Sequence, residues 1–113
     1  MAAPKKPADH KPKSLPVKEV DGGKQVTVDG LKIIVKDAAF TDHLVMRGLA
    51  KLRSSDLTVA EKIVLNGEMI DRILGEEQAT ILARKYEDSD GYTDFTVLAK
   101  KFNEILGAAF PNS

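Results

Sequence analysis

The stretch KQVTVDGLKIIV, residues 24–35, decides how this chain is read. Two roughly alternating, β-branched runs flank Asp29-Gly30. Asp-Gly in that setting is a strong short-range hairpin signal, because both central positions of the tight turn need positive φ. Val26 and Val28 share one face of the first strand, and Leu31, Ile33 and Val35 share one on the second. A lone two-stranded ribbon is marginal in water, so this hairpin must lean on helices or pair with another chain.

Downstream of Asp37 the period changes. TDHLVMRGLAKLR puts Leu44, Leu49 and Leu52 near one helical face, with Val45 and Met46 beside it and Thr41 or Asp42 as N-cap. TVAEKIVLNGEMIDRIL opens with the spacing of a capping box, Thr58 to Glu61. Gly67 is placed to bend or split that helix, since glycine costs about 1 kcal/mol against alanine there. EEQATILARKY begins after Gly75 with acids in its first turn, where they suit the helix dipole. TDFTVLAKKFNEILGAAF carries Phe95, Leu98, Phe102, Ile105 and Ala109 at spacings of three and four. The expected fold is mainly α: about four helices preceded by a β-hairpin.

Upstream, MAAPKKPADHKPKSLP holds four of the five prolines and four lysines. Such a segment cannot bury enough apolar surface to offset the entropy of ordering, so residues 1–23 are expected to be a disordered arm and residues 24–113 the domain. The arm reads as solubilising rather than nucleic-acid-binding, having no aromatic residue interleaved for base stacking.

The 113 residues suit one small domain, with 17 basic and 17 acidic groups in balance. The balance hides an asymmetry: residues 1–24 carry six lysines against three acids, so the remainder is mildly acidic. A nucleic-acid-binding regulator would need clustered cations on the body, and KLR and ARK are too short for that. No apolar run approaches the roughly 18–20 residues of a membrane span, and no signal core precedes the domain. An intracellular protein, in a host cytoplasm, is expected.

Catalytic and metal chemistry find little footing. There is no cysteine, and His10 and His43 are too few and too far apart for zinc. YEDSDGYTDF, residues 86–95, briefly resembles a calcium loop. With Gly91 at the sixth position, Asp88, Asp90 and Asp94 fall at ligand positions, but Tyr86 and Val97 occupy the first and twelfth. The stretch is expected to be a turn, with Thr93 or Asp94 capping the last helix. His43 has no triad partners, RSSDL has no glycine elbow, and no phosphate-binding glycine motif occurs. No enzymatic activity, cofactor or metal is expected.

What remains is apolar surface wider than one helical stripe. From about Asp37 onward, together with the extended stretch VDGLKIIV, the order of elements resembles the tail assembly chaperones of long-tailed bacteriophages. The resemblance runs through a brief helix (DHLVMRGLAKL), an apolar helix ending in Leu-Gly before acids and glutamine (RILGEEQATILARKY), an acidic Asp-Gly turn (EDSDGYTDF) and a final helix (TVLAKKFNEIL). It implies binding of the long helical tape measure protein, which such chaperones keep soluble while the tail tube polymerises. It also implies recruitment of tail tube protein through a longer frameshifted form, and self-association. The family has no motif residue to transfer. The expected partner-binding set, Val45, Met46, Leu49, Leu52, Met69, Ile70 and Ile73, therefore rests on apolar character and the adaptability of methionine. The alternative is an oligomeric structural virion component, a connector or tail-completion protein pairing through its hairpin.

Overall fold

The computed structural model describes residues 15–111. Three strands, β1 (Val17–Val20), β2 (Gly23–Val28) and β3 (Leu31–Lys36), form an antiparallel meander in that order. A 3₁₀ turn (Asp37–Thr41) leads into four helices: α1 (His43–Arg53), α2 (Val59–Leu74), α3 (Glu76–Lys85) and α4 (Phe95–Ala109).

The expected hairpin is β2–β3. Asp29 and Gly30 both have positive φ, 49° and 83°, and the register sets Val28 opposite Leu31 and Val26 opposite Ile33. β1 corrects the expected boundary. Residues 1–14 of the expected arm lie outside the described residues, but residues 17–23 belong to the sheet. VKEV is mostly exposed and weakly strand-forming by itself; it is held because Asp21-Gly22 turns it back onto β2, pairing Val20 with Gly23 and Val17 with Val26.

One sheet face is buried. Val26, Val28, Ile33 and Val35 are at most 1% exposed and meet the helices, where Phe102 and Ile105 of α4, Leu82 of α3 and Ile73 of α2 complete the core. Full burial of each such side chain contributes about 1.5–3 kcal/mol. No polar side chain is buried among the described residues.

The helix ends follow the sequence closely. Asp42 caps α1, its Oδ2 accepting from Val45 N–H at 2.9 Å. Thr58 and Glu61 form the complete capping box of α2, which runs through Gly67 without a break. Asp94 caps α4 by accepting from Thr96 N–H at 2.8 Å. The acidic stretch is a turn: Gly91 has φ 87°, and Asp88 Oδ1 accepts from the N–H groups of Asp90 and Tyr92.

Two ties hold sheet to helices. Asp29, at the hairpin tip, accepts from the Tyr86 hydroxyl at 2.6 Å and pairs with Lys101 at 3.1 Å. The Tyr86 bond, then Lys101, lowers the Asp29 pKa; burial and the same carboxylate push the Tyr86 hydroxyl up. On β3, Ile34 N–H donates to Gln78 Oε1 at 2.8 Å, and Gln78 Nε2 donates back to Ile34 O at 2.8 Å and to Leu74 O at 2.9 Å. One side-chain amide thus occupies an edge position that another strand would otherwise take. Among the described residues, no helix is long and apolar enough to cross a membrane.

Candidate functional site

α1 and α2 lie side by side, and their outward surface is concave. The close approach is made at Gly48. A Cβ there would sit 2.6 Å from Met69 Cε, so the missing side chain leaves room for the Met69 thioether. Leu44 and Gly48, one turn apart on α1, and Leu65 and Met69, one turn apart on α2, floor a groove of about 550 Å³. A second hollow of about 400 Å³, lined by Leu57, Ala60 and Val64, continues it toward the N-terminus of α2. The two share Lys51, Leu65 and Glu68, so together they form one trough.

The apolar groups along this trough face solvent. Leu44 is 47% exposed and Val64 61%. A helix face this apolar and this open has no partner within the fold.

One end of the trough is fixed by electrostatics. Arg72, near the end of α2, pairs with Asp42 through two hydrogen bonds, Nε to Oδ2 at 2.7 Å and Nη2 to Oδ1 at 2.9 Å. The Arg72 bond, aided by Val45 N–H, brings the Asp42 pKa down to about 2, and Asp42 in turn raises that of Arg72. A single carboxylate therefore caps α1 and clamps it to α2.

The expected partner-binding residues divide. Val45, Ile70 and Ile73 are at most 5% exposed and lie in the hydrophobic core away from the trough, which corrects their expected role. Met69, also 5% exposed, packs in the core while its side chain forms part of the groove floor. The helices bury their most apolar arcs against the sheet first. Leu49 and Leu52 are half-buried and line a different cavity, of about 360 Å³, with Phe40 and Phe110. The rings of Phe40 and Phe110 stand 3.8 Å apart at its wall. Met46 is 46% exposed, but helical geometry sets it roughly 160° around α1 from Leu44, away from the trough.

Leu44, Leu57, Ala60, Val64 and Leu65 were not expected as site residues. Their signal lay in α2, which carries more apolar positions than one face can bury, and in Gly48, whose lack of a side chain admits Met69. His43 is exposed at the first position of α1. Among the described residues there is no group of three or more His, Asp or Glu side chains placed to hold a metal ion. What the trough can do is hold apolar side chains of another chain. No protein-family model, curated protein or solved structure matches this chain.

Proposed function

We propose that this protein is an assembly chaperone that binds helical segments of a long, aggregation-prone partner and keeps them soluble, as the resemblance to phage tail assembly chaperones implies for the tape measure protein. The observation that supports this reading is the exposed apolar trough between α1 and α2, whose two connected hollows of about 550 and 400 Å³ offer room for the apolar side chains of a helix laid in a groove. Apolar stripes on unassembled helices drive aggregation; a trough of this kind covers such a stripe and can release it when a better partner arrives.

The test is co-expression with a phage tape measure protein. The wild-type chain yields soluble tape measure protein that co-elutes with several copies. Leu44→Glu/Val64→Glu, at two exposed positions, leaves the fold intact and loses that solubility. Tape measure protein that stays insoluble beside the wild-type chain refutes the proposal.

The alternative, a virion component oligomerising through its sheet, draws less support from β1. Two-fold antiparallel pairing along VKEV sets either Lys18 opposite its own copy or Glu19 opposite its own copy, and like charges in those positions repel.

A further inference from the structure

The trough's two walls differ in charge. Arg47 and Lys51, one turn apart on α1, stand on one side. Glu68 on α2 and Glu76 at the start of α3 stand on the other. Among the described residues none of these four forms an ion pair, whereas Arg72, one turn beyond Glu68 on α2, is already bound to Asp42. The groove thus presents an apolar floor, an unneutralised basic wall and an unneutralised acidic wall.

We infer that the α1–α2 groove takes a single amphipathic helix with oppositely charged flanks, acids toward Arg47 and Lys51 and bases toward Glu68 and Glu76, and that this pattern fixes the direction in which the helix lies. The inference rests on the helix-binding reading above and adds to it the partner's charge pattern and polarity. With its apolar stripe facing the floor, a helix turned end for end exchanges its flanks. One direction then pairs every charge and the other opposes like charges along both walls, a difference that supplies specificity. The 16 residues of α2 span about 24 Å, so the occupant is a helix of about four turns.

The experiment uses the full chain and synthetic helical peptides of about that length, with apolar residues at i, i+3, i+4 and i+7. One peptide carries Glu along one flank and Lys along the other; a second has the same composition with Glu and Lys interleaved on both flanks. Fluorescence anisotropy at low salt is expected to show the segregated peptide binding about tenfold tighter, with the gap narrowing as salt is added.

Because the chain has no cysteine, one nitroxide can be attached at a time, at Ser55→Cys beside one end of the trough or at Glu77→Cys beside the other. Each label should broaden the NMR signals of one peptide terminus only. A peptide with its flanks exchanged should reverse that pattern, as should the variant Arg47→Glu/Lys51→Glu/Glu68→Lys/Glu76→Lys. Equal affinity for the two peptides, or broadening of both termini by each label, overturns the inference and leaves chaperoning intact. Failure to bind any peptide, by a chain that still solubilises the tape measure protein, also overturns it and moves the helix elsewhere. Dimerisation of the peptide-free chain that Leu44→Glu abolishes overturns it in favour of a second copy in the groove. Failure of both peptide binding and solubilisation removes the functional reading itself.

Discussion

Replacing Gln78 by alanine removes a tie that spans 44 residues of sequence. Its amide makes two hydrogen bonds to the Ile34 backbone and one to Leu74 O at the end of α2. Only the two bonds to Ile34 join sheet to helix, and each contributes about 0.5–1.5 kcal/mol net. Ile34 is 41% exposed, so water replaces part of what is lost, and the lower half of that range applies. The expected cost is about 1–2 kcal/mol, or roughly 4–16 °C in Tm for a domain of this size. Thermal unfolding followed by circular dichroism reads the global effect. Amide hydrogen exchange at Ile34 reads the local one, and it should accelerate well beyond the change at Val26 or Ile33. Gln78→Glu sharpens the test. It keeps an acceptor for Ile34 N–H but presents an oxygen to two carbonyls, so at neutral pH it should destabilise at least as much as alanine. A Gln78→Glu variant with wild-type Tm and unchanged Ile34 exchange would refute the reasoning.

Gly67 lies mid-helix in α2 with nothing within 4 Å of an added Cβ, so Gly67→Ala should stabilise by up to about 1 kcal/mol in a urea titration. Gly23→Ala should do the opposite, losing about 1–3 kcal/mol, because its Cβ would press on the Val35 carbonyl and lie 3.0 Å from Lys36 Cα; equal midpoints for the two variants would contradict the packing described. Asp42 and Asp29 ionise more readily folded than unfolded, so their stabilisation is complete above the unfolded value of 3.8 and is lost as pH falls toward the Asp42 value of about 2. Asp29→Asn/Asp42→Asn should therefore lower Tm at pH 7 and flatten its decline between pH 5 and 2. Leu82→Ala, at a fully buried site, should cost about 2–5 kcal/mol by chemical denaturation.

Much of the fold was legible because its signals are local. Asp29-Gly30, the Thr58–Glu61 box, Gly75 and Asp94 each act within a few residues, and each marks an element end where expected. β1 was hidden because VKEV becomes a strand only by pairing with β2, and its charges resemble those of the lysine-rich segment before it. The site was harder to read. Met69, Ile70 and Ile73 have the same chemistry as Leu65 and Val64 beside them; which arc of α2 turns inward is decided by where the sheet and α4 sit. Gln78 gave no signal at all, since its partner, Ile34, lies 44 residues away.

The walls of the trough are joined at one end by the Ser54–Thr58 connection and at the other by Asp42 and Arg72. Their separation is set before any occupant arrives, so no wall has to be ordered on binding. On the helix-binding reading proposed above, complex formation would then be governed by encounter, drawn by two charged walls. Added salt should slow association far more than it hastens release, and a variant lacking the Asp42–Arg72 clamp should associate slowly even where its final affinity is preserved.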